Sequence, residues 1–150
     1  NESHKAIAEF VQQQWLENLG VDVALENQDW GTYLTNRRQG HFQIVLAGWV
    51  GDYRDPTTFL DMFVSDSAMN GGRYQRDEYD QLIARASKTA VGNQRMELLA
   101  QAEQLLIEDD QAIMPIYYYV DIDMIDLDRW SGWYPNVMGW HPVGAIAPAQ

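Results

Sequence analysis

Twice within the first 50 residues, an apolar pattern of helical period gives way to one of strand character. In the first unit Ile7, Phe10, Val11, Trp15, Leu16 and Leu19 recur at helical spacing, with Ser3 placed to cap the start and Gly20 the end. Val21, Val23 and Leu25 then alternate with Asp22, Ala24 and Glu26, the pattern of a half-buried strand. In the second unit Asp29 is placed to cap a helix through Trp30, Tyr33, Leu34 and Arg37, and Gly40 closes it. The run Phe42-Gln43-Ile44-Val45-Leu46-Ala47-Gly48-Trp49 follows, apolar enough for a strand buried on both faces. Helix and strand in this alternation predict an α/β fold.

Beyond the second strand, the Gly, Asp and Pro content of residues 51–56 predicts a loop, and residues 57–63 a short helix with Pro56 near its start. Residues 65–73 are polar and Gly-rich, which predicts a mobile surface loop. Tyr79, Leu82, Ile83 and Ala86 share one face of a helix over 77–88; Met96, Leu99, Ala102, Leu105 and Leu106 share one face of a second over 94–108. Gly92-Asn93 joins them as an antiparallel pair. Residues 113–120 are rich in β-branched and aromatic side chains, and 121–128 alternate apolar and acidic positions with a break at Met124-Ile125, which predicts further strands, the second bulged. The tail from Trp130 onward holds three of the six Trp together with Pro135, Pro142 and Pro148, and is expected to be irregular and extended.

With 46% apolar and 12% aromatic residues, 150 residues suffice for one domain with its own core. A net charge of -12, from 22 acidic against 10 basic residues, repels a phosphate backbone, so no nucleic-acid partner is expected. No run approaches the ~18 apolar residues of a membrane span, and Asn1-Glu2-Ser3-His4-Lys5 has no signal-peptide character. The absence of Cys removes thiolate chemistry and disulfides. His4, His41 and His141 lack ligand-like spacing, and no metal or cofactor is expected. Asp121, Asp123, Asp126 and Asp128 lack the central Gly and terminal Glu of a calcium loop and are expected to form a solvated face. No Gly-x-Ser-x-Gly elbow or phosphate-binding Gly-rich loop is present, so the chain is not expected to be an enzyme.

The stretch from Gly48 to Asp55 holds the most chemistry. An apolar strand ends in Trp49 and delivers Asp52 and Tyr53 into the next loop, and ligand sites in open α/β sheets favour the carboxyl ends of strands. A carboxylate held beside an indole can pair with an ammonium group; at ~4 Å and an effective dielectric near 20 the Coulomb attraction is about 4 kcal/mol before desolvation is subtracted. Residue types alone leave a second reading open, in which Asp52 caps the turn at Asp55-Pro56-Thr57 and Trp49 packs in the core.

Three groups of residues, Asn27-Gln28-Asp29-Trp30, Arg37-Arg38-Gln39-Gly40 and Ala47-Gly48-Trp49-Val50-Gly51-Asp52-Tyr53-Arg54-Asp55-Pro56, occur in an order that resembles the oligopeptide- and dipeptide-binding proteins of ABC transporters. These are the extracellular solute-binding proteins of family 5. The resemblance continues through Ala112-Ile113-Met114-Pro115-Ile116-Tyr117-Tyr118-Tyr119 to Trp133-Tyr134-Pro135-Asn136-Val137, nearly the whole chain. It implies one lobe of a type II periplasmic binding protein fold, a mixed sheet flanked by helices, with residues 1–150 as the C-terminal ligand-binding lobe of a longer two-lobed protein. By this resemblance Asp52 matches the carboxylate that pairs with the α-ammonium of a bound peptide. Trp30 and Trp49 match aromatics lining side-chain pockets, and Arg37 matches a basic residue near one of them. Tyr53, and Arg38 where some members have His, complete the candidate ligand-binding residues. Some oligopeptide binders carry an Arg three positions before the Trp; Leu46 stands there in this chain, so that contact to a ligand carboxylate does not carry over.

The expected function is therefore binding of short peptides for uptake by ABC transporter permease subunits. The expected location is periplasmic or otherwise extracytoplasmic, with lipid attachment through a preceding segment as one form. Without the N-terminal lobe, the apolar surface around Trp49 and the Trp-rich tail is expected to drive self-association. A non-peptide cargo, such as a nickel chelate or a sugar-derived ligand, and a ligand-sensing lobe of a regulator are the alternatives.

Overall fold

A computed structural model of the chain describes residues 2–120, 122–136 and 138–149. Helix α1 spans Glu2–Leu19 and α2 spans Trp30–Gln39. A short α3, Thr57–Leu60, runs into a 3₁₀ turn at Asp61–Phe63. Helices α4, Asp77–Lys88, and α5, Asn93–Gln104, follow, and a π-helical turn at Leu105–Asp109 extends α5. Strands β1, Trp130–Ser131, and β2, Ala147–Pro148, pair antiparallel, Trp130 opposite Pro148 and Ser131 opposite Ala147, around a 3₁₀ turn at Val143–Ala145.

The core lies where α3, α4 and α5 meet. Asp77, Glu78 and Asp80 occupy the first turn of α4 and Arg85 and Lys88 the last, each set opposite in sign to the helix-dipole end it faces. Between them Tyr79, Leu82, Ile83 and Ala86 are buried, as the periodicity predicts. On α5 the buried positions are Leu98, Leu99 and Ala102, whereas Met96, expected on that face, is 49% exposed. Leu105 and Leu106 at the start of the π-helical turn continue the buried face of α5, and the turn is closed by the Asp110 N–H donating to the Leu105 carbonyl at 2.9 Å. Tyr79, fully buried, donates its hydroxyl to the Leu60 carbonyl at 2.7 Å and so ties α3 to α4.

The loop over 65–73, expected to be mobile, is stitched down by one side chain. Asn70 is buried; its amide donates to the carbonyls of Val64 at 3.2 Å and Tyr74 at 2.7 Å, and its carbonyl accepts from the Tyr74 N–H at 2.9 Å. A buried carboxamide with donors and acceptor engaged fixes the loop as firmly as a short strand pair would.

Outside that core the helices form as expected, but the strands do not. Asp29 caps α2, its carboxylate accepting from Thr32 N–H at 3.1 Å and Thr32 Oγ1 at 2.6 Å. Gly40, at φ 72°, closes it with His41 N–H returning to the Asn36 carbonyl at 2.8 Å. Gly20 ends α1 at φ 67°, as expected, whereas Ser3 lies inside α1 and the position preceding it is residue 1, outside the described residues. The stretches 21–25, 42–49, 113–120 and 122–128, expected as strands, carry no ladder among the described residues, and Asp121 lies outside them. Strand character needs a neighbour for every other N–H and C=O, and the two helix-then-extended units do not pair with each other. The mixed sheet is thus represented here by the two-stranded ribbon alone. That ribbon lies in the tail expected to be irregular. The acidic positions nearby form a turn rather than a strand face: Asp126 accepts from the Asp128 N–H at 3.1 Å, and Asp123 pairs with His141 at 3.2 Å.

Replacing Tyr79 by Phe removes the bond that ties α4 to the Leu60 carbonyl and is expected to cost about 0.5–1.5 kcal/mol. Leu99→Ala, which opens a cavity at the same helix contact, is expected to cost about 2–5 kcal/mol. Urea unfolding followed by far-UV circular dichroism measures both.

Candidate functional site

The loop that follows Trp49 is built on the first turn of α3. Asp55, Pro56 and Thr57 form an Asx turn: Asp55 Oδ1 accepts from the Thr57 N–H at 3.0 Å and from Thr57 Oγ1 at 2.8 Å. Asp55 is therefore the residue that caps this turn, and the reading in which Asp52 does so is excluded. The Asp55 carboxylate also takes a two-pronged grip from α5, Arg95 Nη1 to Oδ2 at 2.7 Å and Arg95 Nη2 to Oδ1 at 2.8 Å. Planar guanidinium and carboxylate match in this geometry, and the Arg95 side chain is only 11% exposed. The Arg95 hydrogen bonds hold the Asp55 carboxyl well below its ordinary 3.8, with the Thr57 contacts acting the same way against burial. Burial, followed by the Asp55 charge, raises Asp61 nearby.

Asp52 differs from its neighbour in every respect. Its backbone N–H donates to Thr58 Oγ1 at 2.9 Å, Thr58 being buried, so the main chain at Asp52 is fixed to α3. Its side chain is exposed and makes no hydrogen bond or ion pair among the described residues. Tyr53 places its hydroxyl 3.2 Å from Thr57 Oγ1 and leaves the ring half-exposed. Gly51 packs so closely on α3 that an added Cβ would stand 3.2 Å from Thr58 Cγ2 and 3.3 Å from the Phe59 ring. The site thus holds one carboxylate that is paired and bonded on both oxygens and, three positions earlier, one that is held by its backbone and free at its tip.

Trp49 is partly buried, and its indole N–H, shielded from solvent, has no acceptor among the described residues. Trp30, at the first position of α2, is 71% exposed and stacks on Tyr33 with centroids 5.2 Å apart. Tyr33 in turn donates its hydroxyl to the Leu46 carbonyl at 3.2 Å, so the start of α2 is moored three residues before Trp49. Arg37 and Arg38 occupy the last turn of the same helix, roughly 10 Å further along its axis. There the backbone of Arg37 lies against Gly71, where an added Cβ would meet its carbonyl at 2.8 Å. The structure therefore places Trp49, Asp52 and Tyr53 in one stretch, links Trp30 through Tyr33 to Leu46 just before it, and sets Arg37 and Arg38 at the opposite end of α2. Arg95 escaped the sequence reading: it lies 40 residues from Asp55, and no local pattern marks the pairing. Asp55-Pro56-Thr57 did signal the turn that Asp55 caps.

Helices packed beside a loop that presents a free carboxylate, in a fold shared with solved binding proteins, define part of a type II periplasmic binding protein. The chain belongs to family 5 of the bacterial extracellular solute-binding proteins, and residues 1–71 match the part of that family described as its middle. This is a family of solute-binding proteins and not a class of enzymes. Over 131 residues the chain is 47% identical to the periplasmic oligopeptide-binding protein OppA of Salmonella typhimurium, covering 87% of this chain and 24% of that protein. Its structure resembles the periplasmic oligopeptide-binding protein OppAIV of Borrelia burgdorferi, with a TM-score of 0.76 and 34% identity over 99% of this chain and 30% of that one. It also resembles Haemophilus influenzae OppA in complex with RPPGFSPFR, with a TM-score of 0.76 and 38% identity over 79% of this chain and 23% of that one. The chain spans about a quarter of the length of the curated relatives it matches.

The lowered Asp55 carboxyl gives the fold a pH signature. The folded state keeps Asp55 ionised where the unfolded chain would protonate it. The pairing with Arg95 therefore stabilises the fold above about pH 4 and weakens as pH falls below that toward the lowered value. Thermal melts from about pH 7 to about pH 2 are expected to show wild type above Asp55→Asn at neutral pH, with the gap narrowing below about pH 4.

Proposed function

We propose that this chain is the C-terminal ligand-binding lobe of a two-lobed protein that captures short peptides outside the cytoplasm and delivers them to the permease subunits of an ABC importer. The observation that carries this reading is the free carboxylate of Asp52 on a backbone that is itself fixed by Thr58. An ionised carboxylate can only accept hydrogen bonds, and a peptide's α-ammonium offers three donors and the complementary charge. Asp55, by contrast, is already neutralised by Arg95 and engaged by Thr57.

Trp49, Tyr53 and Trp30 supply aromatic surface for the side chains next to the ligand's amino end. Arg37 and Arg38, at the other end of α2, supply positive charge to more distant pockets. With Leu46 in place of a cation near Trp49, the ligand's carboxylate is held by other groups. Closure of the second lobe over the ligand supplies the remaining contacts, as in hinge-bending binding proteins. The protein's work is binding and release, without turnover of the peptide.

Calorimetry on the full-length protein with short peptides tests the ammonium contact. Asp52→Ala is expected to weaken binding of a free-amine peptide roughly 10- to 100-fold, the scale of a lost hydrogen bond to a charged group. N-acetylation of the peptide is expected to weaken binding to wild type by a similar factor and to leave Asp52→Ala little changed. Equal affinity of wild type and Asp52→Ala for both ligands would remove the proposal.

A further inference from the structure

From the geometry we infer that Arg95, which lies outside the ligand loop, is a positioning residue for ligand capture. Its two-pronged contact with Asp55 sets the orientation in which Asp52 meets the ammonium group. The inference rests on the assignment of Asp52 to the peptide amine and extends it to a residue on a different helix.

The loop over 51–58 has few ways of holding its shape. Asp52 and Tyr53 are both anchored to residues of the first turn of α3, at Thr58 and Thr57. Thr57 is anchored by both its N–H and its hydroxyl to a single acceptor, Asp55 Oδ1. Each of these contacts lies within an eight-residue stretch and fixes the loop's internal shape; α3 is in turn held to the core by buried Thr58 and Leu60 and by the Tyr79 hydroxyl at the Leu60 carbonyl. Arg95 adds a connection from another helix that reaches the loop's own carboxylate directly. It comes from α5, whose neighbours Leu98 and Leu99 are buried in the core, and it reaches both oxygens of Asp55. Two parallel hydrogen bonds from a planar group define a direction as well as a distance, which a single ammonium contact does not. The core's position is thereby passed through Asp55 and Thr57 to the backbone at Asp52.

Positioning of this kind has a consequence that a purely stabilising pair lacks. Loss of Arg95 should act on the one ligand group that Asp52 reads and spare the rest of the ligand. The test compares a short peptide with its N-acetylated form by calorimetry on the full-length protein, in wild type, Arg95→Met, Arg95→Lys, Asp55→Asn and Asp52→Ala. Arg95→Met is expected to weaken binding of the free-amine peptide by roughly an order of magnitude, within the range for residues of one ion-pair network. The acetylated peptide should bind it as it binds wild type, and Arg95→Lys should recover part of the loss. Asp55→Asn keeps an acceptor for Thr57 while losing the charge, so it reports on the same contact even where Arg95→Met folds poorly, and it is expected to behave as Arg95→Met does.

Equal weakening of both ligands in Arg95→Met and Asp55→Asn would show a merely structural role and overturn the inference. So would unchanged discrimination in both of these variants alongside its loss in Asp52→Ala, which would leave the ammonium contact standing. Unchanged discrimination in Asp52→Ala would overturn the ammonium contact itself, and the positioning role with it.

Discussion

The fork between Arg95 and Asp55 ties a polar loop directly to the helical core, beside the link that α3 already makes through Leu60 and Tyr79. On one side lies a helical core in which Tyr79, Leu99 and Leu106 are almost wholly enclosed. On the other lies a polar loop with almost no apolar side chain to bury, whose local hydrogen bonds satisfy its own turn. A charge-assisted, bidentate contact can hold such a loop without a hydrophobic face because it works through direction and charge. It also settles a crowded acidic neighbourhood: Asp61 sits close enough for the Asp55 charge to raise it, and the Arg95 cation faces both carboxylates. A neutral residue at position 95 would leave two acids near each other at the edge of a core, so the pair balances charge there as well as helping to attach the loop.

From that arrangement follows a division of labour between two carboxylates three positions apart. The same side chain chemistry gives a structural group at Asp55, where two donors on Thr57 and two on Arg95 converge, and an available group at Asp52, where only the backbone is held. The proposed selectivity for a cationic end group rests on this contrast. An exposed acid on a floating loop would be one of many in a chain of net charge -12, whereas an acid whose main chain is fixed has a defined approach. The overall negative charge adds a long-range attraction for ammonium groups, and the fixed loop gives that attraction an address.

How much of this was legible in the sequence depended on how far apart the partners lie. Local signals read correctly: the Asp29 cap and the Gly40 stop bracket α2, and the spacing of Tyr79, Leu82, Ile83 and Ala86 named the buried face of α4 residue by residue. Met96, at the edge of the apolar face, is exposed and Leu98, nearer its centre, is buried, a distinction that the spacing of apolar residues on α5 does not make. The extended stretches were legible as apolar and β-branched but not as paired, since a ladder depends on a neighbour elsewhere and the pattern of one strand does not name it. Asn70 looked like loop polarity; its carboxamide turned out to be the loop's internal frame. Asp52 stood out because it follows an apolar run and a Trp, whereas Arg95 did not, because an exposed and a bridging Arg are indistinguishable on a helix until the facing loop is known.

The position of Asp52 at the junction of these two kinds of structure bears on how the site can work. Behind it, residues 57–107 hold the buried core, and their packing fixes the loop from one side. Ahead of it, residues 42–50 run without ladder partners, tied to the rest by Tyr33 at the Leu46 carbonyl and by the packing of Tyr119 against Gly48, where an added Cβ would stand 3.3 Å from that ring. Tyr119 is itself linked to α1, its hydroxyl 2.7 Å from His4 Nε2. Trp49 sits on this second, more lightly held side, and its shielded indole N–H lacks an acceptor among the described residues, an expense that a settled interior would not leave standing. The carboxylate is thus positioned from the helical core and the aromatic surface beside it from the extended segments. On the proposed reading, affinity for the charged end of a ligand and preference for its side chains are accordingly set by different parts of the chain, and substitutions in one are expected to alter the first without altering the second.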